Sequence, residues 1–380
     1  MMNAPDSVVS LLQKLIQIPS INPDSAPDQG ATGERDCAVW LGKFLEHCGA
    51  AITFEEVLPG RPNVTGRFPG GKDKPGLLFA PHTDTVSVRG MTIEPFSGEV
   101  REGKIWGRGA SDTKGTMAAM LWALYELRDV IPTLTHSVSF VGLMGEEAGQ
   151  PGSIHFAKHH ADEFEFAVVG EPTELETVYA SKGCVWLELS TEGISCHGST
   201  PERGENAIRK LLPILEPLIV AIEHELPNYA DPVLGNPTVS LGEMMGGSST
   251  NIVPPSCCAS LDFRETPAFH EAGGCQTLVE RILLDLDPQG SISTRILGHS
   301  VPLFTDLETD GVRRLQSIGS NLTTAPWFCD AGRFGEKGLA AIAVGPGKIA
   351  QAHTKDEFIA VSDLEKGVEF YSNFIRTYES

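Results

Sequence analysis

Residues 76–86 read GLLFAPHTDTV, and the fold turns on how that stretch is taken. An unbroken run of apolar and small residues describes a strand covered on both faces, as in a parallel sheet. His82 and Asp84 follow at once. Residues two apart on an extended chain point to one side, so an imidazole and a carboxylate would share a face, as a metal ligand and its orienting partner do. A core strand that merely surfaces explains the pair equally well by itself, and the rest of the chain must decide.

Similar runs recur along the chain. NVTGRF (63–68), SVSFVGLMGEE (137–147), FAVVGEP (166–172) and AIAVGPG (341–347) are strand-like, whereas TKGTMAAMLWALYELRDV (113–130) and DLEKGVEFYSNFIRTYE (363–379) read as helices. That alternation predicts an α/β domain whose mostly parallel sheet is covered on both faces. From 182 to 293 the pattern changes. GCVWLELSTEG, the long helix ENAIRKLLPILEPLIVAIEHEL with Pro213 and Pro217 inside it, PTVSLGEM, CCASLDFRE, a helix near 268–287 and SISTRIL follow in order. Strand, helix, strand, strand, helix, strand is the ferredoxin-like α+β order. The expected organisation is a catalytic domain of residues 1–181 and 294–380 with residues 182–293 inserted in it. A chain of 380 residues is long enough for two cores.

Composition narrows the function. A formal net charge of −21 argues against nucleic acid or an anionic membrane as partner, while a small anionic substrate held by local arginines stays open. No stretch has the length and apolarity to span a bilayer. The first twenty residues lack the basic region and apolar core of a signal peptide and read as an amphipathic helix. Eight cysteines carry no C-x-x-C pair, so reduced thiols and a cytoplasmic location are expected.

In open α/β sheets ligands bind beyond the carboxyl ends of the strands. The predicted strands end at His82 and Asp84, at Glu146 and Glu147, and at Glu171; His353 follows a short loop, and Asp112 stands just before the long helix. Singly, Asp112 could be a helix N-cap and the Glu146–Glu147 pair a solvated turn. Together at one sheet edge they indicate a metal site. Two histidines and several carboxylates without cysteine suit Zn²⁺. There are more carboxylates than one ion needs, which suggests two ions sharing a bridging carboxylate, able to polarise a carbonyl and activate water. Of the adjacent glutamates, one can ligate while its neighbour moves a proton. Three other features point elsewhere. GRGASDTKG lacks the third glycine of a dinucleotide loop. Ser195, Cys196 and His197 are sequence neighbours without a nucleophile elbow. His155, His159 and His160 lie on a polar helix and are expected at the surface.

With those residues assembled, the chain resembles the di-zinc amidohydrolase/exopeptidase family of acetylornithine deacetylase, succinyl-diaminopimelate desuccinylase, aminoacylase and glutamate carboxypeptidase. The likeness runs nearly the full length through APHTDTV, GRGASDTKG, GEEAG, VVGEPT, SCHGSTPERGENAI, GSSTNIVPPSC and GPGKIAQAHTKDE, in the family's order. It implies two Zn²⁺ ions, with Co²⁺ or Mn²⁺ as substitutes. His82 would bind one and His353 the other, with Asp112 bridging and Glu147 and Glu171 each joining one side. Asp84 would orient His82, and Glu146 would serve as general base for zinc-bound water. The family also implies a cis peptide after the bridging residue, where this chain has Thr113 in place of the usual Met or Asp. The inserted domain resembles the family's lid and dimerisation domain. It would make a homodimer, with His197 steadying the oxyanion and Asn251 and Arg264 holding the substrate carboxylate. Glu171 in its V-G-E-P-T setting and the GPGKIAQAHTKDE segment are most similar to the deacetylase/desuccinylase branch, which cleaves N-acyl amino acids. A dipeptidase or glutamate carboxypeptidase-like exopeptidase is the alternative enzyme. A non-catalytic metabolite-binding protein is the alternative of another class, although such a protein has no use for an unligated glutamate beside metal ligands.

Overall fold

A computed structural model of the chain describes residues 5–25, 33–70 and 75–379. Its contacts divide into two compact units, one of Met1–Tyr179, Phe304–Thr324 and Cys329–Ser380, the other of Ala180–Leu303 and Ala325–Phe328.

The first unit is α/β, as the alternation predicts. Four strands, Val138–Gly142, Gly76–Ala80, Phe164–Val169 and Ala340–Ala343, lie side by side and parallel. Each is an almost unbroken buried run, which is what coverage on both faces demands. Arg61–Arg67 adds antiparallel to Val138–Gly142, and Ala51–Leu58 closes that side as a more exposed strand. The central helix, Lys114–Glu126, is apolar all round and therefore buried. It packs on helices Val8–Ile16 and Val361–Arg376 and shares one core with Phe79, Phe140, Phe166 and Val168 of the sheet. Gly115 opens that helix because a Cβ there would stand 2.2 Å from the Ala110 carbonyl oxygen. The Lys114 ammonium, fully buried, donates to the carbonyls of Leu15 (3.0 Å) and Ile18 (2.7 Å), closing the C-terminal end of the first helix. The helix expected over 113–130 ends at Glu126; the chain then tightens into a 3₁₀ turn at Ile131–Thr133, where Pro132 cannot continue an α-helix.

The second unit is a four-stranded antiparallel sheet ordered Thr238–Gly246, Ser256–Glu265, Gly183–Glu192, Ile292–Ser300. Helices Ala207–Glu225 and Gly274–Leu286 contact it through Leu211, Leu218 and Val279, which cluster with Leu187, Leu261 and Phe263. Strand order and helix placement match the ferredoxin-like expectation. Pro213 and Pro217 are tolerated inside the helix at exposed positions. Two details differ from the sequence reading. The helix expected at 268–287 is broken into Pro267–Glu271 and Gly274–Leu286, because Gly273 and Gly274 both take left-handed backbone (φ 97° and 63°). The expected boundary at 293 falls inside a strand, since pairing with Gly183–Glu192 continues to Ser300 opposite Cys184. Among the described residues no helix is long and apolar enough to cross a membrane.

Candidate metal centre

Sheet register brings the polar residues together. Ala80 stands opposite Val169, and Val169 opposite Ala343, in parallel pairing. The chain therefore leaves these strands at one level, and His82 and Glu171 each lie two residues beyond it. His82 itself bridges to Leu143, at the start of the loop that carries Glu146 and Glu147. Asp112 precedes the central helix across a cis Asp112–Thr113 peptide, the bond that the resemblance implied.

Asp112 faces an imidazole with each of its oxygens. Its Oδ1 lies 3.2 Å from His82 Nε2, and its Oδ2 lies 3.4 Å from His353 Nε2. Glu147 Oε2 is 3.0 Å from His353 Nε2 on the same side. His82, Asp112 and Glu147 each present a ligand atom within 4.8 Å of the others. His82 and Asp112 are buried and Glu147 is partly so, whereas His353 is exposed, on left-handed backbone (φ 59°).

The electrostatics are those of a site built for cations. Burial pushes the Glu146 and Glu171 carboxyls well above the usual range, and neighbouring carboxylates add to it despite His82. Glu147 is raised by burial and by Asp112, against the pull of His353. Asp330, buried nearby with Ser153 Oγ donating to it at 2.5 Å, is raised to about 6 by burial. Conversely, the hydrogen bonds His353 donates to Asp112 and Glu147 raise it to about 10. His82 stays well above its ordinary range because Asp112 and Asp84 outweigh the burial that opposes its charge. Burial opposes the charge on Asp112 too, but its carboxyl is held low by His353 and His82. Glu147 Oε1 is buried and has no hydrogen-bond partner among the described residues. A crowd of buried carboxylates with an orphaned oxygen is costly unless positive charge joins it. Divalent cations with N and O ligands fit this donor set.

Asp84 does more than orient His82. His82 Nδ1 stands 3.0 Å from the Asp84 backbone carbonyl and 3.4 Å from Oδ1 of its side chain. The carboxylate accepts the backbone N–H groups of Glu146 (3.1 Å, Oδ1) and Glu147 (3.0 Å, Oδ2), together with Asn22 Nδ2 (2.7 Å, Oδ2). One residue thus fixes the His82 ring and the peptide pair bearing both glutamates. Sequence reasoning missed Asn22, which carries no local signal. It also missed Thr113, whose hydroxyl donates to the Gly170 carbonyl at 2.7 Å and so ties the Asp112 loop to the residue before Glu171. Glu357, at the end of the GPGKIAQAHTKDE motif, is fully buried against the Asp112 loop, and no local pattern marks it for that place.

His197, Asn251 and Arg264 belong to the second unit. His197 and Asn251 sit on adjoining exposed loops, with Gly198 N donating to Asn251 O at 2.8 Å. Ser199 N and Oγ lie 3.2 Å and 2.8 Å from His197 Nδ1, which leaves Nε2 as the ring nitrogen without a contact to Ser199. Arg264 is forked onto Asp262 through Nε (2.8 Å) and Nη2 (3.0 Å). His155 and His160 are half-buried rather than fully at the surface as expected: both pair with Glu55, and His160 also pairs with Glu163.

A buried imidazole–carboxylate cluster at the carboxyl edge of a parallel sheet defines a metal-dependent hydrolase. Residues 78–377 match Peptidase family M20/M25/M40, and the chain belongs to that family, hydrolases of amide bonds. The acetylornithine deacetylase of Proteus mirabilis is 29% identical over 384 residues, covering 97% of this chain and 96% of its own length. That of Pectobacterium atrosepticum is 30% identical over 393 residues, 99% of each. Among solved structures, the M20 family metallo-carboxypeptidase Sso-CP2 from Sulfolobus solfataricus superposes with a TM-score of 0.78 at 21% identity, covering 99% of this chain and 100% of its own. The di-peptidase Dug1p from Saccharomyces cerevisiae gives 0.77 at 15% identity, covering 98% and 95%. At those identities the structural likeness is one of fold.

Proposed function

We propose that the chain hydrolyses the amide bond of N-acyl amino acids, in the manner of acetylornithine deacetylase and succinyl-diaminopimelate desuccinylase. The observation that carries the reading is the placement of Asp112 between two imidazoles, with Glu146 next to Glu147 on its loop and outside the group of His82, Asp112 and Glu147. His82 and Glu171 would hold one Zn²⁺, His353 and Glu147 the other, and Asp112 both. When bound, such a pair polarises a carbonyl and makes water acidic at neutral pH. Glu146 takes the proton of the attacking water and delivers it to the departing amine. Its raised carboxyl suits both halves of that task. The Asp84 carboxylate keeps Glu146 in place through the backbone, so the shuttle does not drift.

The second unit would supply substrate contacts in a homodimer. His197 would steady the oxyanion by donating a hydrogen bond from its ring, with Nδ1 turned to Ser199. Asn251 and Arg264 would hold the substrate carboxylate, with Arg264 shared between it and Asp262. A cytoplasmic location belongs to the same reading and is supported by the eight free cysteines.

The deacylase reading rests on Glu171 in its motif and on the 29–30% identity to acetylornithine deacetylases. The test is a substrate panel on zinc-loaded protein: N-acetylornithine, N-succinyl-diaminopimelate, other N-acyl amino acids and dipeptides. Turnover of an N-acyl amino acid with the highest kcat/KM supports the proposal. Preferential cleavage of dipeptides replaces it with the exopeptidase, and tight binding without turnover replaces it with a binding protein.

A further inference from the structure

We infer that Glu357 is a positioning residue for the metal centre: its buried carboxylate holds the Asp112 loop against the segment that carries His353. The inference rests on the metal-centre reading above and deepens it.

Glu357 is fully buried, and its side chain accepts four hydrogen bonds. Oε1 takes the backbone N–H groups of Ser111 (2.7 Å) and Asp112 (2.9 Å). Oε2 takes the N–H of Gly109 (3.0 Å) and Arg108 Nη1 (2.9 Å). The Glu357 backbone carbonyl accepts a fifth, from Gly107 N at 3.0 Å. All the carboxylate's lone-pair directions are thereby used on one stretch, residues 108–112. Arg108 balances the charge and is itself anchored to the Ser87 carbonyl at 3.1 Å.

The circuit closes through the ligands. His353 lies four residues before Glu357, and its ring meets the Asp112 carboxylate. Asp112 is thus held at its backbone N–H by Glu357 and faced at its side chain by His353, both from one short segment. His353 is exposed and on left-handed backbone, so packing does little to fix its position. Glu357, four residues on, is the buried anchor of that segment on the Asp112 loop. A second tie, Asp356 to Thr92 N (2.9 Å) and Oγ1 (2.6 Å), is exposed and lies outside the ligand loops.

Glu357→Gln separates this role from a merely structural one. The amide keeps the size but offers one acceptor oxygen, so at least one loop N–H faces an NH₂ group. Chelator-dialysed protein is titrated with Co²⁺ by absorbance and calorimetry, and apo-protein unfolding is followed in parallel. The expected result is a loss of roughly 10–100-fold in affinity for one of two Co²⁺ ions, with the other within about threefold of wild type. Leu315→Ala, a cavity in the helix Asp310–Ser317, serves as the destabilised control and keeps both affinities. Arg108→Gln loosens the same clasp from its other end and shows the same selective loss should Glu357→Gln prove insoluble. If Glu357→Gln binds both ions like wild type and the control, or loses both, the positioning role is overturned while the metal centre stands. If wild type takes up no Co²⁺, the metal centre falls and this role falls with it.

Discussion

Glu146→Gln should separate activity from stability in opposite directions. The substitution is isosteric and leaves the backbone N–H of residue 146 on Asp84, so packing and the loop are retained. Loss of a general base lowers kcat by roughly 10²–10⁴-fold, equivalent to about 3–5 kcal/mol in the barrier. Metal content should not change, because the proposed ligands are His82, Asp112, Glu147, Glu171 and His353, and Glu146 is not among them. Stability follows from the direction of the carboxyl's shift. Burial raises it in the folded protein above its value in the unfolded chain. Below the unfolded value both states hold the proton and burial has no pH-linked penalty. As pH rises through the window between the two values, unfolding releases a proton and the folded state loses ground, by about 1.4 kcal/mol for each tenfold displacement of the ionisation equilibrium. Glutamine has no such window. Apo Glu146→Gln should therefore be at least as stable as apo wild type near pH 8, with the difference closing as pH falls into the ordinary glutamate range. Urea denaturation of chelator-treated protein across pH, alongside kcat and metal analysis of the loaded protein, provides the measurement. Turnover within tenfold of wild type, loss of metal, or a less stable variant near pH 8 would refute the reasoning.

Four further expectations can be checked on the same material. Chelation should lower the unfolding temperature and Zn²⁺ should restore it, each site adding about 2.7 kcal/mol of stability at a hundredfold excess over Kd. Because Asp112 and Glu147 hold a proton on His353 up to about 10, uptake must displace it, and Zn²⁺ affinity measured by competition titration should climb between about pH 6 and 8; a flat profile counts against His353 as a ligand. Thr113→Val removes the buried hydroxyl bond to Gly170 and should lower stability by about 1–2 kcal/mol in thermal or urea unfolding. His160 is raised by Glu163 and Glu55, although its partial burial opposes the charge. Its contribution is full below the ordinary histidine value and is lost as pH rises through the raised one, so His160→Gln should destabilise more near pH 5 than near pH 9.

Much of the site was legible because a parallel strand announces itself by an unbroken apolar run, and the polar residue that ends it is a local event. His82, Glu146, Glu147 and Glu171 are such residues. Register then decided their convergence, since Ala80 and Val169 stand level. Less legible was the division of labour around Asp84. A carboxylate two residues from a histidine reads as that histidine's partner, but the nearer contact to the ring is the Asp84 backbone carbonyl, and the side chain serves Glu146, Glu147 and Asn22. In the inserted segment, the break at Gly273–Gly274 was written in the glycines themselves, whereas the strand continuing to Ser300 needed its partner to be seen.

Taken alone, the order of residues determined the chemistry available: imidazoles and carboxylates at strand ends, no cysteine among them, and an α/β pattern interrupted by an α+β one. Local periodicity and residue type carry that information without reference to distant neighbours. Only the tertiary structure decided which groups hold the ligands still. Glu357 grips Asp112 from 245 residues away, and Thr113 reaches Gly170 across 57. Backbone N–H and C=O groups are the same at every residue, so nothing in a sequence marks which buried side chain will take them; the path of the folded chain makes that choice.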